Sequence, residues 1–139
     1  MQNSVFNPTH IDEFDKTKLN FDAKGVTASI TAGTSQNIDL TLTDDHLITG
    51  AWMIVDGATL GDTVNLQVVD TTGFTGYPAG TVLNQFITNF YLPTSASEQF
   101  NITYPAKIIA GLTLRVVYTS TGATNPFFAA NFYLHKILV

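Results

Sequence analysis

The sequence predicts an all-β fold: a single jelly-roll-like sandwich of about eight antiparallel strands, preceded by an extended N-terminal arm. Three observations carry this. Threonine supplies 21 of the 139 residues, and β-branched and aromatic side chains suit a half-buried pleated surface. From Gly25 onward, apolar residues recur with period two in short runs separated by clusters of Gly, Pro, Asp and Ser. Beyond Asp70 only Glu98, Lys107, Arg115 and Lys136 are charged, which leaves sheet edges poorly protected by charge. The domain organisation expected is an arm over residues 1–24 and a sandwich over residues 25–139.

The arm differs in pattern from the rest of the chain. Asp12, Glu13, Asp15, Lys16, Lys18, Asp22 and Lys24 mix signs, and Val5, Phe6, Ile11, Phe14, Leu19 and Phe21 are isolated among polar neighbours. Three phenylalanines in so polar a segment point to docking on a neighbouring chain. The first strand is Val26 to Ile30, closed by the turn Ala32-Gly33-Thr34-Ser35. In the next, Ile38, Leu40 and Leu42 alternate with Asn37, Asp39, Thr41 and Thr43, and Asp44-Asp45-His46 ends it. Leu47 to Asp56 is apolar on both sides, which marks a central strand, with Ile48, Gly50, Trp52 and Ile54 sharing a face. Thr63 to Val69 turns Val64, Leu66 and Val68 inward.

The segment Asp70 to Gly80, DTTGFTGYPAG, is a glycine-rich loop, and loops on a rigid scaffold are where binding concentrates. Thr81 to Leu92 reads two ways. Leu83, Phe86, Ile87 and Phe90 fit helical spacing, but the absence of Ala, Glu and Lys and the company of strands favour a strand. After a turn at Pro93 to Ser97, Glu98 to Tyr104 is a strand that Pro105 ends. Leu112 to Thr119 places Leu112, Leu114, Val116 and Tyr118 on one face, and Phe127 to Leu138 is the last and longest strand. The expected core is Ile54, Val64, Leu66, Val68, Leu114, Val116, Phe132 and Leu134, with Trp52 as its aromatic anchor.

Composition narrows the function. A formal net charge of −5, with six aspartates and no Lys or Arg between Gly25 and Asp70, argues against nucleic acid, whose phosphates demand clustered cations. With zero cysteines there are no disulfides and no thiolate chemistry. No apolar run approaches the ~20 residues of a membrane helix. The opening MQNSVFNPTHIDEFDK has no basic region followed by an apolar stretch, so no secretory signal is expected and synthesis in a cytoplasm is the simplest route.

Catalytic, cofactor and metal sites are not expected. His10, His46 and His135 lack zinc-motif spacing, and Asp44-Asp45-His46 lacks the pattern of a calcium loop. No serine sits in a nucleophile elbow. Asp56, Asp62 and Asp70 flank one hairpin, where Asp beside Gly is ordinary turn chemistry. The candidate functional residues are instead partner-binding aromatics: Phe6, Phe14 and Phe21 of the arm and Phe74 and Tyr77 of the glycine-rich loop. Arg115 faces away from the apolar set and awaits an acidic neighbour.

The stretch TGAWMIVDGATLGDTVNLQVVD from Thr49 to Asp70, with GYPAGTVLNQF, GLTLRVVYTSTG and NFYLHKI after it, resembles small β-sandwich proteins of tailed-bacteriophage virions. The resemblance covers roughly residues 47 to 137 and not the arm. It implies a non-enzymatic virion protein made in the host cytoplasm. The favoured form is a capsid cement or decoration protein, a homo-oligomer with a trimer preferred, that contacts the major capsid protein or other virion proteins. A neck, tail or fibre protein is the near alternative. A carbohydrate-binding adhesin, using Phe74 and Tyr77 on a glycan, is the more distant one.

Overall fold

The structure is a computed structural model that describes residues 19–92 and 96–138. Nine strands run in order: β1 Leu19–Phe21, β2 Lys24–Ser29, β3 Ser35–Thr41, β4 His46–Asp56, β5 Thr63–Asp70, β6 Thr81–Tyr91, β7 Ala96–Ile108, β8 Thr113–Thr119 and β9 Phe127–Ile137. They form two antiparallel sheets stacked as a sandwich. The first, sheet A, runs β1-β9-β4-β7, with β2 continuing along β9 beside β1. The second, sheet B, runs β3-β8-β5-β6. Alternation fixes the inner faces: Val64, Leu66, Val68, Leu114, Val116 and Tyr118 from sheet B meet Met53, Val55, Phe128, Phe132 and Leu134 from sheet A, all buried.

The expected strands are present, and the departures share one cause: extra residues that break period two. In β4, Ile48 pairs with Leu134 and Gly50 with Tyr133, so Thr49 is a bulge residue. A one-residue bulge exchanges the faces beyond it. Ile48 therefore stays inside, Ala51, Met53 and Val55 take over as core residues, and Trp52 and Ile54 go to the outer face. The expectation that Trp52 anchors the core and that Ile54 lies within it is corrected on this point: Trp52 is 39% exposed and Ile54 half-buried.

In β6, eleven residues lie beside the eight of β5, with register shifts at three places and Asn89 at φ 46°. Leu83, Phe86, Ile87 and Phe90 turn toward the core through these bulges, and so a strand acquires the spacing of a helix. β7 runs through Pro105 rather than ending there. Its residues 102–105 lie between the pairs Ile48↔Ala106 and Gly50↔Asn101, opposite the single residue Thr49, and β7 is an edge strand, where a missing N–H is tolerated. This makes β7, with 13 residues, longer than β9 with 11. Gly50 is required at the crossing, since a Cβ there would stand 2.6 Å from the Phe100 carbonyl oxygen and 3.0 Å from the Tyr133 ring.

The base of the expected arm belongs to the sheet. Leu19, Asn20 and Phe21 pair with Ile137, Lys136 and His135, and β2 already begins at Lys24. Asp22 fastens the junction: its backbone N–H donates to the Leu134 carbonyl at 2.8 Å and its carboxylate meets Nε2 of the fully buried His46 at 2.9 Å. The other ring nitrogen of His46 lies 2.8 Å from the Asp44 carbonyl. Both ring nitrogens thus face oxygen atoms. The His46 bond chiefly holds the Asp22 carboxyl below the usual carboxylate range, against a smaller opposing effect of burial. Phe6 and Phe14 lie outside the described residues.

Candidate functional site

The outer faces of the two sheets are chemically unlike. Sheet B presents polar side chains that satisfy one another across the strands: Thr41 with Thr113 at 2.8 Å, Ser35 with Thr119 at 3.2 Å, and an amide cluster of Asn65, Gln67, Gln85 and Asn89. Arg115 finds the acidic partner expected for it, a two-pronged bond from Nε and an Nη to the Asp39 carboxylate at 2.8 and 2.9 Å. That bond raises the Arg115 pKa. Most of this face is thus satisfied by its own polar groups, with Tyr91, 71% exposed beside Thr63, and Val82 beside Val69 as its large apolar side chains in water.

Sheet A presents aromatics instead. Trp52 stands in a shallow apolar depression bounded by Gly25, Thr27, Ile54, Ala129 and Asn131, where small neighbours on β2 and β9 leave the indole standing proud. Phe127, 48% exposed, is at one end of the same face, and Phe21, 60% exposed, sits edge-on to His135 at 5.3 Å toward the other. Trp52 pairs across the strands with Asn131 and Gln99, so the groups beside it are uncharged amides. Large exposed apolar residues gathered on one face mark an interaction surface.

A second feature lies where the free edges of the sandwich, β6 and β7, diverge. A cleft of about 380 Å³ opens between them, walled by Leu83, Phe86, Ala106 and Ile109, with Tyr77 and Lys107 at its border. The glycine-rich loop supplies Tyr77 and is itself organised by Asp70. That buried carboxylate accepts from the N–H groups of Thr72, Gly73 and Thr75 at 3.2, 2.8 and 2.9 Å and from the Thr75 hydroxyl. Burial pushes the Asp70 carboxyl up, but the Thr75 hydroxyl and the three amides outweigh it and bring it down to about 2. Phe74 leans on the β7–β8 turn, its ring edge 3.1 Å from where a Cβ on Gly111 would stand.

The expected candidates therefore fall in three places. Tyr77 borders the cleft, Phe74 covers the neighbouring turn, and Phe21 belongs to the sheet A face. Trp52 and Phe127, which sequence alone does not nominate, join Phe21 there. The signal that would find Trp52 is the bulge at Thr49, which only pairing reveals.

Asp62 and Asp70 occupy opposite ends of β5 rather than clustering. Asp62 is fully buried and accepts from the Tyr118 hydroxyl at 2.7 Å, the Thr121 N–H at 2.8 Å, the Thr121 hydroxyl at 3.1 Å and the Thr59 N–H at 3.1 Å. Burial raises its pKa, yet these donors together leave it below the usual range. Asp44 pairs with Lys136 at 3.4 Å and Asp45 with Lys107 at 3.9 Å, while His46 points inward. Among the described residues no three His, Asp or Glu side chains converge to hold a metal ion.

No protein-family model and no curated protein matches the chain. Among solved structures it is similar to the VP2 subviral particle of infectious bursal disease virus, at 16% identity and a TM-score of 0.41, covering 86% of this chain and 31% of that one. The T13 particle of the same virus gives 11% and 0.39, over 86% and 36%. A CocE/NonD family hydrolase of Staphylococcus aureus gives 10% and 0.37, over 86% and 33%. The chain spans about a third of the length of each, and at these values no function passes from them to it.

Proposed function

We propose that this chain is a non-enzymatic structural component of a virion, acting as a capsid cement or decoration protein through contacts with copies of itself and with shell subunits. The observation that carries the assembly role is the contrast between the two outer faces. Sheet B satisfies much of its outer face with its own polar ladders, whereas sheet A holds Trp52, Phe127 and Phe21 partly in water on one face, with Trp52 between the uncharged amides of Asn131 and Gln99. Burying such a face stabilises an interface by ~25 cal/mol per Å² of apolar area, and stable interfaces bury on the order of 1,200–2,000 Å². Repetition of one contact over many copies multiplies it by avidity. The virion setting rests on the resemblance of the Thr49 to Asp70 hairpin to small phage virion proteins.

Sedimentation velocity on the purified chain tests the reading. A defined oligomer is expected, a trimer in the favoured form, which the pair Trp52→Ser and Phe127→Ser converts to monomer without altering the circular dichroism. The oligomer should also co-sediment with capsids lacking it. A stable monomer that ignores capsids but binds a glycan, losing it in Tyr77→Ala, overturns the reading in favour of the adhesin.

A further inference from the structure

β3 ends sheet B with no described strand on its outer side, and it carries none of the usual protections of an edge. Its pairs with β8, from Ser35↔Thr119 to Thr41↔Thr113, follow one another without a register shift, and it holds no proline and no lysine. Both ends of the ladder show which backbone groups point outward. The Ser120 N–H donates to the Thr34 carbonyl at 2.8 Å and the Leu42 N–H to the Leu112 carbonyl at 2.9 Å, so the even-numbered residues of β3 bond to β8. Ser35, Asn37, Asp39 and Thr41 therefore aim both N–H and C=O away from it, and all four are exposed.

The side chains of the same residues define what such an edge accepts. Ser35 bonds Thr119 at 3.2 Å, Thr41 bonds Thr113 at 2.8 Å and Asp39 holds Arg115, whereas Asn37 stands opposite Val117 with no side-chain bond among the described residues. A second β3 laid antiparallel about a two-fold axis at Ile38 sets Ser35 against Thr41 of the other copy and Asn37 against its Asp39, and each pair exchanges both backbone bonds. The hydroxyl row of Thr113 and Thr41 then continues into Ser35 and Thr119 of the second copy. The Asn37 amide meets a carboxylate whose charge Arg115 already balances. Sliding the register by two residues sets Asp39 against Asp39 in one direction, which like charges disfavour, and leaves Thr41 beyond the end of the other strand in the opposite one.

We infer that β3 is an association surface whose occupant is the β3 of a second copy, joining the two B sheets edge to edge into one continuous sheet across a two-fold axis. The occupant is a second copy because the edge is self-complementary: hydroxyl meets hydroxyl, amide meets carboxylate, and the ladders already present in each copy run on through the axis. This contact uses neither the sheet A face nor the virion setting and stands independently of both. An edge of seven residues falls short of the ~1,200 Å² of a standard interface, so by itself it is a weak contact, populated near ~1 mM chain.

Nuclear magnetic resonance of the isotope-labelled full chain tests it. Raising the concentration from ~0.02 to ~1 mM, at a salt level that screens the net charge, should move the backbone amide signals of Ser35, Asn37, Asp39 and Thr41 more than those of Gln36, Ile38 and Leu40. The Trp52 and Phe127 signals report the sheet A face separately. Asn37→Lys should tighten the dimer and Asn37→Asp should loosen it, each by roughly 2- to 30-fold in dissociation constant, because the symmetry sets this residue against Asp39 twice. Asn37→Pro, which removes an N–H that no described residue accepts, should abolish the concentration dependence while the circular dichroism is kept. β3 amides that ignore concentration overturn the proposal, whatever the sheet A signals do. So does a change in the same direction from Asn37→Lys and Asn37→Asp, which would set Asn37 against itself or against a strand of another protein.

Discussion

Replacing Tyr118 by Phe isolates one polar contact at the centre of the sandwich. The ring remains buried and keeps its edge-on contact with Phe128, centroids 6.0 Å apart at 70°, so little packing is lost. What goes is the 2.7 Å bond from the hydroxyl to Asp62. Hydrogen bonds to a charged group contribute ~1.5–3 kcal/mol, and Asp62 keeps Thr59 and Thr121 as donors, so the loss should lie in that range and not include an orphaned carboxylate. For a chain of this size it lowers the melting temperature by roughly 5–10 °C. Urea unfolding monitored by circular dichroism gives the free energy, and a cycle with Asp62→Asn gives the coupling. A loss below ~0.5 kcal/mol, or an equal loss when Asp62 is already Asn, would refute the assignment of this stabilisation to the Tyr118–Asp62 bond.

The geometry sets two further outcomes. Gly50→Ala places a methyl 2.6 Å from a backbone oxygen that cannot rotate away, so the β7 bulge must move, at a cost of ~1–3 kcal/mol by chemical denaturation. Wild-type stability at that level would mean that the crossing is looser than the pairing indicates. For Asp70, whose carboxyl is depressed to about 2 against an ordinary 3.8, the folded state binds fewer protons than the unfolded one in this window. Its contribution is complete above 3.8 and is lost as pH falls toward 2, so acid titration of the melting temperature should show a slope there that Asp70→Asn diminishes. An unchanged slope in that variant would assign the acid sensitivity to other carboxylates.

The fold was legible in the sequence wherever alternation is regular. β5, β8 and β9 keep period two across their inner faces, and every core residue expected from them, from Val64 to Leu134, is buried. Legibility failed where a strand carries residues its neighbour does not match. Thr49 in β4 reversed the face of Trp52, the three irregularities of β6 imitated a helix, and the residues up to Pro105 in β7 imitated a strand end. These are facts about pairing, and pairing is long-range: no local window of sequence contains the partner whose length decides it. The site was legible to the same degree. Tyr77 and Phe74 stand out because they interrupt a glycine-rich loop, while Trp52 was concealed by apolar neighbours that point the other way.

The same irregularities decide which surfaces remain open to partners. A chain with four charges after Asp70 suggests sheet edges left unguarded, since charge is the common protection against edge-to-edge pairing. Three of the edges are guarded by shape instead. β7 carries Pro105 and a bulge opposite Thr49, β6 is interrupted three times and has Asn89 in the left-handed region, and the far edge of sheet A is divided between β1 and β2 at the Asp22 junction. On β3, Asp39 is committed to Arg115. A bulged or broken edge cannot present the evenly spaced N–H and C=O groups that an added strand needs. Assembly by strand addition is thereby disfavoured at the β7, β6 and β1/β2 edges, and what the fold leaves for association is the regular β3 edge and the sheet faces. The outer face of sheet A offers Trp52, Phe127 and Phe21 partly in water, Trp52 having joined that surface through the bulge that removed it from the core.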